Sequence, residues 1–211
     1  MSIAPEASPI PLSEFRPRTL DQLRGVPAKI QYACGLNVME GWLNVDGFDH
    51  ALLWHFSQSG VPALIAENVY KMDLIERHPF EDDSFDYAFC EDFIEHIDQK
   101  SAILFLSEVL RTLKPGGVLR LSSPSLEGVM TFHFKSAKYD AVIENHEAAY
   151  TRWGHLHFFS HESLKTVALG LGFSDCRPCE FHLSEHPALR NVEARAEQGG
   201  YKINLYAELT K

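Results

Sequence analysis

A small-residue turn and a carboxylate eleven positions later are the first features of this sequence that can bind a ligand. The turn is Ala33-Cys34-Gly35, which follows an apolar run and lets a ligand approach the backbone closely. Asp46 ends the next apolar run, where a carboxylate can accept hydrogen bonds from the vicinal hydroxyls of a ribose. The spacing leaves room for a helix of about one or two turns, against roughly 20 residues in the dinucleotide fingerprint, and so disfavours an NAD enzyme.

Cysteine and histidine residues near the C-terminal end have the ligand types that zinc takes. Cys176 and Cys179 form a Cys-x-x-Cys pair, and His182 and His186 follow. Residues three apart on an extended strand point to opposite faces, and the sequence has no second Cys-x-x-Cys pair. The sequence therefore predicts no metal site.

The composition describes a globular, acidic chain. Its 211 residues are 45% hydrophobic, enough for one domain with a substantial core. The 19 basic and 29 acidic residues give a net charge of −10, and no Lys/Arg cluster offsets it, which disfavours nucleic acid and anionic membranes. We expect a small-molecule partner and leave a homodimer open. The few cysteines, with no leader or membrane span, predict a cytoplasmic protein.

The elements that position these residues alternate between strand and helix from Ala28 onward. Apolar residues at helical spacing predict a helix from Ser101 to Leu113, which Lys114-Pro-Gly-Gly117 ends. Alternation of this kind predicts an α/β fold with a mostly parallel sheet, helices on both faces and ligands beyond the carboxyl ends of the strands. The predicted strands of this part are Lys29–Ala33, Trp42–Asp46, Val69–Asp73, Phe85–Cys90 and Val118–Ser122.

The flanking segments complete the predicted organisation. Residues 1–27 read as an arm with a short helix between Leu12 and Arg24, packed outside the core, and residues 28–211 as the domain. Within the domain, residues from about 126 to 158 have weak periodicity and are interpreted as an insertion. A helix from His161 to Gly170 and strands near Phe173–Leu183 and Lys202–Leu209 follow.

Four motifs in a fixed order resemble the class I S-adenosylmethionine-dependent methyltransferases, and in particular their type 11-like subgroup. They cover roughly residues 29–123, and an ordered set is far more specific than one member. The resemblance implies a Rossmann-like fold with a seven-stranded sheet and an antiparallel C-terminal strand. The motifs are Tyr32-Ala-Cys-Gly-Leu-Asn-Val-Met-Glu-Gly-Trp-Leu-Asn-Val-Asp46, Phe80-Glu-Asp-Asp-Ser-Phe-Asp86, Phe93-Ile-Glu-His-Ile97 and Leu110-Arg-Thr-Leu-Lys-Pro-Gly-Gly117.

Carried over residue by residue, the resemblance implies cofactor contacts at the ends of the first four strands. The Ala33-Cys34-Gly35 turn would face the methionine part of S-adenosylmethionine, Asp46 its ribose and Asp73 the exocyclic amine of its adenine. Ala33 stands where the family turn usually has glycine. The implied cofactor-binding residues are Tyr32, Ala33, Cys34, Gly35, Asp46, Gly47, Met72, Asp73, Leu74, Glu91, Asp92 and Phe93.

A methyl acceptor with a hydroxyl or amine needs a base, and the insertion that would cover the acceptor side is rich in histidine. Among its histidines we prefer His155 and then His133 as catalytic residues, while a scaffold role is the alternative for each. Arg152 is a third candidate, because it can hold a carboxylate or phosphate by a bidentate contact, or else pair with Glu147. The histidines in or beside the insertion are His133, His146, His155 and His157.

The sequence therefore predicts an enzyme that transfers a methyl group from S-adenosylmethionine to a small molecule, by O- or N-methylation of, for example, a sugar or secondary metabolite. The Ala33 substitution motivates one alternative, a non-catalytic homologue that binds S-adenosylmethionine and acts in interaction or regulation. An oxidoreductase is the other alternative, which the missing Gly-x-Gly-x-x-Gly disfavours.

Overall fold

One eight-stranded sheet runs through residues 8–195 and 202–211, which are the residues that the computed structural model describes. The strands are β1 (Arg18–Thr19), β2 (Lys29–Tyr32), β3 (Leu43–Asp46), β4 (Val69–Lys71), β5 (Phe85–Glu91), β6 (Leu113–Pro124), β7 (Asp175–Pro178) and β8 (Asn204–Thr210). Their order in the sheet is β1-β4-β3-β2-β5-β6-β8-β7, and of these strands β8 alone runs opposite to the rest.

Helices lie between these strands along the chain. None of the described helices has the length and apolar character needed to cross a bilayer. The α-helices are α1 (His50–Ser59), α2 (Ala63–Asn68), α3 (Gln99–Thr112), α4 (Leu126–His133), α5 (Tyr139–His146) and α6 (His161–Leu171); single turns of 3₁₀-helix cover Leu20–Gln22, Ile94–His96 and Pro187–Leu189, and a π-helix covers Glu147–Thr151.

Side-chain caps fix where four of these helices begin. Each cap accepts a hydrogen bond from a backbone N–H of the first turn, which has no partner within the helix. α6 also ends at Gly172, whose φ of 112° suits glycine. The caps are Asp49 on Leu52 N (2.8 Å), Asp98 on Ser101 N (3.0 Å), Ser125 on Gly128 N (2.9 Å) and Ser160 on Ser163 N (3.0 Å).

An apolar core lies between one face of the sheet and helices α3 and α6. Successive residues of a strand point to opposite faces, so every second residue of the central strands enters this core. Ala88 and Cys90 of β5 meet Phe105 and Leu106 of α3 there, and all four side chains are at most 1% exposed. Each fully buried side chain of the size of leucine or phenylalanine contributes roughly 1.5–3 kcal/mol.

The opposite face of the sheet is covered by helices at one side and by loops at the other. Helices α1 and α2 cover it near β4, where Phe56 and Ile65 pack with Val69. Toward β5 and β6 it is covered by loops, and the fully buried Arg120 of β6 lies among them. Arg120 donates to Glu193, to Glu208 (3.0 Å) and to the backbone oxygens of Leu183 and Glu180 (both 2.8 Å). This buried network fastens residues 180–193 to the sheet.

The arm departs from its sequence prediction. The helix predicted between Leu12 and Arg24 is a single 3₁₀ turn over Leu20–Gln22, and Arg18–Thr19 pairs with β4, which makes the sheet eight-stranded instead of seven-stranded. Residues 1–7 of the predicted arm lie outside the described residues.

The predicted helix between Gly35 and Asp46 was wrong. Residues 36–42 contain no helix, and the side chain of Asn44 binds this loop. Its Oδ1 accepts from Met39 N (3.0 Å), and its Nδ2 donates to the carbonyl oxygens of Met39 (3.0 Å) and Trp42 (3.2 Å). The helical residues between Asp46 and β4 are α1 and α2, which the sequence analysis did not predict.

Candidate functional site

A cavity of about 560 Å³, here called the cofactor cavity, opens at the carboxyl ends of β2, β3, β4 and β5. This is the edge where ligands bind on open parallel sheets. It is lined by Ala33, Gly35, Asp46, Gly47, Asp49, Leu52, His55, Asp73, Leu74, Ile75, Asp92, Phe93, His96 and Ile97.

The turn after β2 forms the floor of this cavity through an unusual backbone. Ala33 has a φ of 50° and Gly35 a φ of 52°, so both adopt the left-handed conformation that glycine tolerates and other residues resist. Apart from its chain neighbours, no atom of the described residues lies within 4 Å of the position that a Cβ on Gly35 would occupy. The turn therefore leaves open space above its backbone, which a ligand can fill.

Asp46 ties this turn to the end of β3. Its Oδ2 accepts from Gly35 N (2.9 Å) and its Oδ1 accepts from Phe48 N (2.6 Å). Burial raises the pKa of the Asp46 carboxyl, and the two backbone N–H groups oppose that rise. Each carboxylate oxygen has a second lone pair, so the group can accept two further hydrogen bonds from a ligand hydroxyl pair.

The charge of the cofactor cavity is one-sided. Four carboxylates line it, those of Asp46, Asp49, Asp73 and Asp92, while no lysine or arginine of the described chain does. A cationic ligand gains from this arrangement, and a pyrophosphate would be repelled.

A second cavity of about 300 Å³, here called the acceptor cavity, adjoins the first and shares Asp49, Asp92 and His96 with it. Its far side is built from α4, the π-helix region and the segments around residues 195 and 203. The remaining lining residues are Pro124, Val129, His133, Ala149, Trp153, His155, Arg195, Ile203 and Asn204.

Two imidazoles and a buried carboxylate meet between the cavities. The rings of His96 and His155 lie edge to face with centroids 4.9 Å apart, and His96 Nε2 is 3.9 Å from Glu95 Oε1. Burial lowers the pKa of both histidines, so both imidazoles are neutral at pH 7. Because His155 Nδ1 lies 2.7 Å from the carbonyl oxygen of Ala149, that nitrogen carries the proton and Nε2 keeps its lone pair.

Two acids at the end of β5 hold the segment that closes the acceptor cavity. Glu91 accepts from Ala194 N (2.9 Å) and Arg195 N (3.4 Å), and the Arg195 guanidinium pairs with Asp92. Burial raises the pKa of Glu91 to about 7, an effect that these two backbone donors oppose. The closing segment is thus attached through ionisable groups.

Eight of the twelve residues predicted to bind the cofactor line the cofactor cavity, and four do not. Tyr32 is fully buried against His78 and Phe105, and Met72 belongs to the same core. Cys34 is buried in the core near Phe56, and Glu91 faces Ala194 and Arg195. These four side chains neighbour lining residues along the chain but point away from the cavity.

Two of the three predicted catalytic residues line a cavity, and one does not. His133 and His155 line the acceptor cavity, whereas Arg152 is exposed and lines neither cavity. Among the residues that the sequence analysis missed, His96 follows the strand end in the Phe93–Ile97 motif, and Asp49 caps α1. Arg195 gives no local signal, since only folding brings it to Asp92.

The comparisons with known proteins agree with this arrangement. A family model described as a methyltransferase domain matches residues 52–121. No curated protein matches the chain in sequence.

Three solved structures share the fold. A SAM-dependent methyltransferase from Thermotoga maritima is 21% identical over 92% of this chain and 86% of its own, with a TM-score of 0.51. A SAM-dependent methyltransferase from Archaeoglobus fulgidus is 17% identical over 91% of this chain and 89% of its own, with a TM-score of 0.54. One from Mesorhizobium loti is 15% identical over 90% of this chain and 94% of its own, with a TM-score of 0.54.

The mostly parallel sheet with its antiparallel β8 is thus the fold of S-adenosylmethionine-dependent methyltransferases, and residues 52–121 match the model of a methyltransferase domain.

Proposed function

We propose that this chain binds S-adenosylmethionine in the cofactor cavity and methylates a small molecule that occupies the acceptor cavity. The observation that carries the proposal is the acidic cofactor cavity, which joins the acceptor cavity at Asp49, Asp92 and His96. S-adenosylmethionine, when bound, supplies an electrophilic methyl group on a positively charged sulfonium.

The residues of the cofactor cavity fit this cofactor. Asp46 offers free lone pairs for the ribose hydroxyls, and Asp73 is exposed at the rim, where it can accept from the adenine amine. The excess of carboxylates favours the sulfonium and the ammonium of the cofactor over an anionic dinucleotide. The open space above Gly35 leaves room for the methionine part.

The acceptor cavity supports a small acceptor. Its volume of about 300 Å³ lies at the small end of ligand pockets, which span roughly 300–1,000 Å³. Within it, His155 and His96 present neutral imidazoles beside the cofactor cavity. The free lone pair of His155 can take a proton from an acceptor or bind a cation, and either use assists a hydroxyl or amine nucleophile.

Calorimetric titration with S-adenosylmethionine, S-adenosylhomocysteine and NAD tests the cofactor half of the proposal. We expect micromolar binding of the first two and none of NAD. Tight NAD binding, or no binding of either sulfur compound, would contradict it.

Turnover of small hydroxyl and amine acceptors tests the other half. We expect His155→Ala to lower kcat by about 10²–10⁴-fold, the range of proton-transfer catalysis, with an unchanged cofactor Kd. His146→Ala is a matched control, because His146 lies in the same segment and lines neither cavity. Cofactor binding without turnover on any acceptor would favour the non-catalytic homologue, for which the strained Ala33 is the specific observation.

A further inference from the structure

The cluster of Glu95, His96 and His155 has the composition of a metal site. Each residue offers one ligand atom, and the three atoms lie within 4.8 Å of one another. Two imidazoles and one carboxylate are a ligand set that binds zinc and iron in catalytic sites. This cluster lies outside the cysteine-containing segment, for which the sequence predicts no metal site.

The carboxylate of Glu95 has an unpaired oxygen that points to this cluster. The side chain is completely buried, and its Oε2 accepts from Ser123 Oγ (3.1 Å). Its Oε1, 3.9 Å from His96 Nε2, has no hydrogen-bond partner among the described residues. A buried carboxylate oxygen without a partner is costly, and a cation is the ligand that would offset this cost.

His155 is oriented as metal-binding histidines are. The nitrogen facing away from the cluster donates to the carbonyl oxygen of Ala149, which fixes the tautomer and leaves Nε2 available. His96 lines both cavities with its side chain about a third exposed, and its Nε2 lies 3.9 Å from Glu95 Oε1. Ligand atoms around a tetrahedral zinc ion are about 3.3 Å apart, so the cluster, whose ligand atoms lie within 4.8 Å of one another, would have to contract by up to about 1.5 Å.

The charges around the cluster favour a cation. Asp92 and Asp49 line both cavities, and Asp92 Oδ1 is a second buried oxygen without a partner among the described residues. Arg195 opposes them, but its guanidinium is paired with the other oxygen of Asp92. One arginine thus faces three carboxylates.

We propose that Glu95, His96 and His155 bind one divalent cation of the zinc class at the junction of the two cavities. Three protein ligands leave coordination positions open toward the acceptor cavity, where an oxygen of a hydroxyl acceptor would bind and release its proton more readily to a solvent water. This use for the acceptor rests on the function proposed above, whereas the binding of the cation does not.

Cation binding to the chelator-treated full chain tests the proposal. Zn²⁺ is titrated calorimetrically, and Co²⁺ is titrated by its visible absorption, which reports four- or five-coordinate nitrogen and oxygen ligation. We expect one ion per chain and a loss of affinity of at least about 100-fold in Glu95→Gln and His155→Ala, since changes to outer-shell partners alone cost about 10–100-fold. His133→Ala, which alters another histidine of the acceptor cavity, is expected to bind the ion as wild type does.

The outcomes separate the metal site from its rivals. Undetectable binding, or binding unchanged in Glu95→Gln and His155→Ala but lost in Cys179→Ser, overturns the proposal; the latter would move the ion to the cysteine-containing segment. Melting curves with and without Zn²⁺ control for folding, because a folded Glu95→Gln is expected to lose the zinc-induced rise in Tm. Titration with S-adenosylhomocysteine is done on the same samples, so a failed metal site with intact cofactor binding leaves the proposed function standing.

Discussion

The two cavities share a boundary but are assembled in different ways. All lining residues of the cofactor cavity come from one stretch, residues 33–97, and most follow the carboxyl ends of successive parallel strands. The acceptor cavity draws on residues from Asp49 to Asn204 and depends on loops fastened through buried polar groups. The sheet itself therefore forms the cofactor cavity, whereas the loops and helices attached to the sheet form the acceptor cavity. Changes to the attachments should therefore damage the acceptor side without altering the cofactor side.

The largest effect on stability is expected where the attachment is most buried. Arg120→Met leaves Glu193 and Glu208 without their shared buried partner, and we expect it to lower the free energy of unfolding by about 3–5 kcal/mol. Denaturant titration measures this. Arg177→Met is the control, because Arg177 binds the other oxygen of Glu208 from a partly exposed position and should cost about 1 kcal/mol or less. Equal losses would show that burial of the network is not what matters. Where the Arg120 variant remains folded, it should bind the cofactor as wild type does.

The next effect concerns the cofactor cavity. Asp46→Ala removes a carboxylate that is hydrogen-bonded to the turn after β2, and we expect cofactor binding to weaken by about 1.5–3 kcal/mol. Asp73→Ala, at an exposed position in the same cavity, should weaken it less. Calorimetry measures both. An unchanged Kd in a folded Asp46 variant would remove that residue from the ribose role.

A gain in stability is expected when the strained residue Ala33 is replaced by glycine. Ala33→Gly relieves the left-handed φ of 50°, and we expect a rise in unfolding free energy of about 1 kcal/mol. Ala66→Gly in α2 should have the opposite sign and a similar size. Thermal and denaturant unfolding of the pair measure the difference. Destabilisation by both glycines would mean that position 33 is not strained.

The smallest effect is a change in pH dependence. The pKa of Glu91 is raised to about 7 in the folded chain from 4.5, so the folded state holds a proton that the unfolded state releases between these values. Stability should therefore decline as pH rises from about 5 to 7.5, and Glu91→Gln should make this decline shallower. Unfolding curves across this range provide the measurement. A steeper decline of stability with pH in the variant would mean that the pKa of Glu91 is not raised in the folded chain.

Much of the fold and of the cofactor cavity was predictable, because both depend on local patterns. Apolar runs ending in Gly35, Asp46 and Asp73 identify strand ends, and parallel strands bring these ends together. The fold prediction was confirmed, apart from the extra strand of the arm. The orientation of single residues was not predictable, since Tyr32 and Met72 neighbour lining residues but face the core.

Less of the acceptor cavity could be predicted from the sequence. His133 and His155 were selected from a histidine-rich insertion, but the approach of His155 to Glu95 and His96 depends on pairings across some 60 residues, such as the hydrogen bond from Leu156 N to the Glu95 carbonyl (2.7 Å). Arg120 illustrates the same limit. It sits in an apolar strand, and its partners Glu193 and Glu208 lie 73 and 88 positions away.

The position of β8 has a consequence for how the chain acquires its structure. β7 reaches the sheet through β8, which it pairs with from Asp175 to Pro178, whereas β8 also pairs with β6 along seven residues. On a ribosome, β6 would emerge with a long unpaired edge and wait for some 80 further residues before β8 could cover it. Such an edge is a template for association with other chains. The acceptor side would therefore be the last part to form and the part most in need of protection during synthesis.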